Sequence, residues 1–298
     1  MNGLNPIRKP LPFEHMFAFE ECGPDHFRSA HTDGRRRRVF GGQLLAQALA
    51  AGLQTVESDR PAHAFQVQFG HAGDSATPFD FLVERTANGR SFSSRHIKGM
   101  QGDKIVLSAM ASFHKSEGGM AFQHAMPDAP PPETLRPMQD WRAEAILAAG
   151  GSESEAQGMR HLGFEVRPTI VVNVMWPEVQ PPVQQFWARP YGPTPADPIK
   201  RQAMLAYLSD IMFLSTALQP HGKHWLSTPM HWASLNHTFR LHAPTDFSDW
   251  ILWSMQVVWT GGGRGVVSGR MHDRGGRLLA SASQEGLMRL ADREERHG

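Results

Sequence analysis

From Asp197 to Gln219 the chain reads DPIKRQAMLAYLSDIMFLSTALQ, and Leu205, Leu208, Met212 and Ser215 recur at helical spacing. Asp197 is a good cap, and Pro198 suits a first helical position where no N–H is needed. Pro220 and Gly222 supply the stop. The pattern predicts one helix of about 30 Å across the whole segment. In its middle lies Asp210, followed by Ile211, Met212, Phe213 and Leu214. A carboxylate in such company either finds donors or has its pKa raised. A second helix opens directly after Gly41-Gly42. Leu45, Leu49, Leu53 and Val56 form its apolar stripe, and Gln43, Gln47 and Gln54 lie on another face.

Elsewhere the alternation is that of strands. HAFQVQF and FDFLVER alternate, and SFSSRHIKGM, the turn QGDK and IVLSAMASF read as a long hairpin. Short strands are expected over 13–32 and an arm over 1–12. Prolines 127, 130, 131, 132 and 137 cluster in a connecting stretch, with one helix expected near 139–148. Then FEVRPTIVVNVMW and QQFWARPY read as strands, the long helix follows, and more strands close the chain. The halves repeat: GDKIVLSAMAS at 102–112 aligns with GGRLLASASQE at 275–285, an offset of about 173. A repeat this long is a duplicated domain. The expected organisation is 1–125, a linker at 126–160, and 161–298, in an α+β architecture with a curved antiparallel sheet around a helix, twice over.

Composition narrows the function classes. At 298 residues there is room for two domains, and a net charge of +1 lacks the basic stripe of a nucleic-acid binder. One cysteine, Cys22, cannot form a disulfide framework. The N-terminus lacks the apolar region of a signal peptide, and no run is long enough to span a membrane. A cytoplasmic protein without membrane association is expected. There is no GxSxG elbow (GRSFS at 89–93 fails it), no HExxH or CxxC, no Walker motif and no dinucleotide fingerprint, so no metal or cofactor is expected. GGGRG at 261–265 sits between strands and reads as a hairpin loop rather than a phosphate cradle. The arginine run 35–38 is either a solvated loop or an attractor of polyanions.

Three positions stand out. The helix start at Gly41-Gly42 presents N–H groups and a partial positive charge. Gln284 lies in a strand of small residues, ASASQEG, while the first repeat has Ala111 at its place, so the fold does not require the amide. Asp210 is the third.

VFGGQLLAQALAA, GDSATPFDFLVERTANGRSFSSRHI, YLSDIMFL, ALQPHG, SLNHTFRLHAP and ASASQEGLMR, in this order, resemble acyl-CoA thioesterase II, the TesB type. The resemblance implies a double hotdog fold and cofactor-free hydrolysis of fatty acyl-CoA to free acid and CoA. It places the catalytic aspartate on Asp210, the glutamine on Gln284, and the hydroxyl residue, commonly threonine, on Ser234. Asn236 departs from the family's usual aspartate, while His237 is retained. Asp210 is then the general base toward a water, with Gln284 and Ser234 holding the water or the carboxylate. N–H groups near Gly42 and Gln43 would stabilise the oxyanion. Gly41, Gly42, Gln43 and His237 are the expected substrate-contacting positions, and apolar helix faces would line an acyl tunnel. On family grounds a homodimer or homotetramer is expected. Two alternatives remain: an acyl-CoA-binding protein without catalysis, which the change at Asn236 favours, and a hotdog hydratase, whose motif is absent.

Overall fold

The computed structural model describes residues 13–29, 38–158 and 163–291. The expected N-terminal arm, three of the four arginines at 35–38, and the charged C-terminal tail lie outside them. The described residues open on a short helix α1 (Phe13–Met16), where a strand was expected, then β1 (Phe19–Gly23) and β2 (His26–Ser29). Helix α2 (Gly41–Leu53) follows, then β3 (Ala62–Phe69), β4 (Asp80–Asn88), β5 (Phe92–Gln101) and β6 (Lys104–His114). The connecting stretch carries α3 (Met138–Ala148), as expected, and α4 (Glu153–Gly158). Next come β7 (Phe164–Pro168), β8 (Val183–Pro190), α5 (Pro198–Ser209), β9 (Met230–Leu241), β10 (Ile251–Gly261), β11 (Arg264–Asp273) and β12 (Leu278–Leu290).

The twelve strands among the described residues join one sheet in the order β1-β2-β4-β5-β6-β3-β9-β12-β11-β10-β8-β7, with every pairing antiparallel. The halves meet at β3 and β9, where Val67 pairs with His237. The repeat extends to the irregularities. A bulge at His63 in β3 has its counterpart at Leu235 in β9, 172 residues on. One at Val106 in β6 has its counterpart at Leu279 in β12, 173 residues on. Bulges are specific backbone features, and two recurring at a steady offset support duplication more strongly than the sequence match alone. Ala62, Phe65 and Ala111 therefore stand where the second half has Ser234, His237 and Gln284.

The two helices pack on each other beneath the sheet, and their apolar faces belong to one continuous core with Phe65, Phe113, Phe239 and Trp253. The approach is close. A Cβ at Gly42 would lie 2.7 Å from the carbonyl oxygen of Tyr207 in α5. At the far end of α2, the buried guanidinium of Arg95 donates to the Thr55 carbonyl at 2.8 Å, a cation at the negative end of the helix.

The long second helix is not continuous. Asp197 caps it through a bond from the Ile199 N–H at 2.9 Å, as expected, but α5 ends at Ser209. Met212 takes a left-handed φ of 59°, and a 3-10 segment, Leu214–His221, carries the chain on to Gly222. Twelve helical residues span about 18 Å, not 30. Nothing local stops the helix, since the apolar pattern runs on to Leu218. The break follows directly on Asp210, whose backbone is still helical and whose carboxylate meets the start of α2.

Candidate active site

Helix α2 begins without a cap of its own. Its N-cap residue, Phe40, offers no side-chain acceptor. Asp210, at the C-terminal cap of α5, fills that role from across the core. The Gly42 N–H donates to its carboxylate. The backbone between them leaves no room for a side chain: a Cβ on Gly41 would lie 2.8 Å from Asp210 Oδ2.

The other partner comes from the sheet. Gln284 in β12 donates through Nε2 to Asp210 Oδ1 at 2.9 Å and to Ser234 Oγ at 2.6 Å. One amide nitrogen therefore uses both protons to tie the carboxylate to the hydroxyl. The bulge at Leu235 makes this possible. In regular alternation, Ser234 and His237 would face opposite sides of β9. With the extra residue, Ser234 pairs with Gly286 and His237 with Gln284, all on the inner face.

Burial is the larger influence on Asp210. It pushes the carboxyl up to about 7, against the Gln284 and Gly42 hydrogen bonds, which pull the other way. His237 is fully buried, and burial pushes its imidazole down to about 3, so it is neutral at physiological pH. Its Nε2 lies 3.0 Å from the hydroxyl of buried Ser209, and its ring packs against Phe213 at 5.5 Å between centroids.

Asp210, Ser234 and Gln284 thus converge. The N–H groups expected to face an oxyanion have other duties: Gly42 serves Asp210, and Gln43 donates to the Phe40 carbonyl at 3.1 Å. The Gln43 side chain is buried, and His237, also buried, pairs with Gln284 across β9 and β12. Asn236 faces the outer side of the sheet, donating to Glu285 Oε2 at 3.2 Å, while Arg264 holds the other oxygen of Glu285 at 2.9 Å. It does not touch Ser234's site. Sequence reasoning missed Ser209 and the bulge. The three-residue interval from Ser234 to His237 within a strand was the available signal.

One spatial cluster has no sequence spacing to announce it. Cys22, His26 and Asp80 bring possible ligand atoms within 4.8 Å of one another on the β1–β2–β4 edge. Arg28 already holds both carboxylate oxygens of Asp80, at 2.9 and 3.1 Å.

The comparisons decide what this site belongs to. The family model for acyl-CoA thioesterase matches residues 155–287, and that for the acyl-CoA thioesterase N-terminal domain matches 29–114. The chain is 32% identical over 283 residues to acyl-CoA thioesterase 2 of Haemophilus influenzae, covering 93% of this chain and 97% of that one. It belongs to the acyl-CoA thioesterase II family. Human acyl-coenzyme A thioesterase 8 is also 32% identical, over 91% of this chain and 86% of its own. Among solved structures, the acyl-CoA thioesterase II TesB2 of Mycobacterium marinum superposes with a TM-score of 0.76 at 29% identity, covering 94% and 99% of the two chains. A hot dog protein from Alicyclobacillus acidocaldarius matches at a TM-score of 0.74 and 22% identity, which places the fold among the hotdogs. This family member is accordingly an acyl-CoA thioesterase, a thioester hydrolase. Among the described residues no helix is long and apolar enough to cross a membrane.

Proposed function

We propose that the chain is a double hotdog enzyme in which Asp210 activates water for attack on the thioester carbonyl of an acyl-CoA. The observation that carries this reading is the single Gln284 amide nitrogen joining Asp210 to Ser234 at the N-terminus of α2. A carboxyl poised near neutrality is matched to accepting a proton at physiological pH. Ser234 accepts from Gln284, so its own proton is directed onward to the attacking water. The water oxygen bonds to the carbonyl carbon as its proton passes to Asp210. The tetrahedral adduct collapses with cleavage of the C–S bond, and the CoA thiolate takes the proton back from Asp210. No covalent acyl-enzyme is required, because a thioester is sufficiently activated for a held water to attack.

The bulge-for-bulge repeat supports the double hotdog. Apolar Ala62, Phe65 and Ala111 at the duplicate positions support one reaction centre per chain. The halves are assigned to 1–125 and 161–298, joined by 126–160, and the assembly to a homodimer or homotetramer, which light scattering checks.

The test is thiol release from acyl-CoAs of short to long chain by wild type and Asp210→Asn. The reading requires release by wild type and its loss in a folded variant. Full activity in the variant removes Asp210 as base.

A further inference from the structure

An acyl group that reaches Asp210 and Ser234 must lie against something, and two sides of the site are already filled. Toward α2 there is no room: a Cβ on Gly41 would meet Asp210 Oδ2 at 2.8 Å and the Phe69 ring at 3.7 Å. Toward the core, aromatic rings touch in series. Phe213 and Phe239 lie 5.5 and 6.5 Å from the His237 ring, and Trp253 lies 5.0 Å from Phe213.

The remaining direction runs along β12 beyond Gln284, beneath the 3-10 segment Leu214–His221. Two places on, the inner-face residue is Gly286, the cross-strand partner of Ser234. Leu214 lies over it: a Cβ on Gly286 would overlap the Leu214 methyl groups. One strand further, Gly265 pairs with Gly286, and a Cβ there would overlap the Met288 sulfur and meet Ala217 Cβ at 2.8 Å. The space beside the Ser234 hydroxyl is therefore held by Leu214 and then Met288. Neither is branched at Cβ, so each can swing aside on its own torsions. Ala217 has no such freedom, because its methyl moves only with the backbone.

The segment that carries Leu214 is suited to giving way. It lies between two left-handed residues, Met212 at φ 59° and Gly222 at φ 56°, and 3-10 hydrogen bonds are poorer in geometry than those of an α-helix. Its far end is tied to the sheet by His221, whose Nε2 lies 3.0 Å from Thr260 Oγ1. The duplicate half supplies the control. At the 173-residue offset Phe113 stands at the place of Gly286, and its ring is fully buried. The half with apolar Ala62 and Ala111 fills this place from the sheet itself. The half with Ser234 and Gln284 leaves it to side chains that can move.

Resting on the reading of Asp210 as base, we propose that Leu214 and Met288 are specificity-determining residues: the acyl chain lies between the 3-10 segment and β12, in the place these two side chains hold here, and their size sets which chain lengths are accepted. Ala217 over Gly265 closes the far end two strand spacings from Ser234, about 10 Å, which suits a straight acyl chain of medium length.

The test compares kcat/KM for straight-chain acyl-CoAs, short to long, on wild type, Leu214→Ala and Met288→Ala. Truncation leaves apolar space that hydrocarbon can enter. The ratio of long-chain to short-chain kcat/KM is expected to rise about tenfold or more in each variant. Affinities of the same series for Asp210→Asn, with and without Leu214→Ala, read the groove by calorimetry without turnover and should shift in the same direction. A merely structural role for Leu214 lowers all chain lengths alike. A folded Leu214→Ala whose ratio stays within about twofold of wild type overturns the proposal. If that variant does not fold, Met288→Ala decides by the same criterion. Asp210→Asn also separates this proposal from the reading it rests on. Retained hydrolysis there removes the base and leaves a chain-length shift standing, whereas an inactive Asp210→Asn beside unchanged profiles in the truncated variants removes only the groove.

Discussion

A methyl group on Gly41 would lie 2.8 Å from the Oδ2 of Asp210. The first residue of α2 is thus a glycine because a carboxylate occupies its side-chain space. Gly41→Ala sets two effects in opposition. Alanine favours the helix by up to about 1 kcal/mol, while its methyl displaces the carboxylate. The expected variant melts at or slightly above the wild-type temperature yet loses about tenfold or more in kcat. Calorimetry and thiol release, run together, check both halves.

Asp210 also sets a pH dependence of stability. Its carboxyl is raised in the folded chain from 3.8 to about 7. Between about pH 4 and 7 the folded chain holds a proton there that the unfolded chain has released, so folding becomes less favourable as pH rises through this window. Asp210→Asn removes that cost. Denaturant melts should show the variant more stable than wild type at pH 8, on the order of 2–4 kcal/mol, and little different at pH 4. Equal stability at both pH values would mean that the carboxyl is not desolvated.

Ser234 tests what the hydroxyl contributes. Ser234→Ala leaves one Gln284 proton without its acceptor and removes the donor toward water. Steady-state kinetics should show kcat lower by about a hundredfold. Ser234→Thr keeps the O–H and should stay within about threefold of wild type, the β-branch only restricting its rotation.

Asn236 separates the site from its surroundings. Its amide faces Glu285 on the outer side of the sheet. Asn236→Asp would set two carboxylates opposite each other, with Arg264 partly compensating. The expected cost is about 0.5 kcal/mol of stability with kcat within about twofold of wild type. A rise in kcat of tenfold on restoring the acid would show that this position acts on the site after all.

Much of this molecule was legible along the chain, for reasons that differ element by element. Gly41-Gly42 opened a helix as read, and the hairpins closed at QGDK and GGGRG, because turns and caps are local chemistry. Gln284 could be singled out because a duplicated sheet supplies its own control at Ala111. The break after Ser209 could not be read. Ile211, Phe213 and Leu214 continue an apolar pattern, and the pull on Asp210 comes from α2, more than 150 residues away in sequence. The left-handed Met212 marks the strain of that turn, and strained backbone concentrates at working sites. The bulge at Leu235 was equally hidden, since only pairing with β12 shows that an extra residue has been inserted. Without it, Ser234 would face away from Asp210, and the same sequence of motifs would form no site.

The most direct test of the central claim is the pH dependence of kcat/KM for thiol release from an acyl-CoA, measured on wild type and Asp210→Asn from pH 5 to 9. The account predicts a wild-type rate that rises with pH through an inflection near 7, where the carboxyl loses its proton. It predicts a variant lower by about a thousandfold and without that inflection. A wild-type profile flat across the range, or a variant that keeps the inflection and the rate, would contradict it.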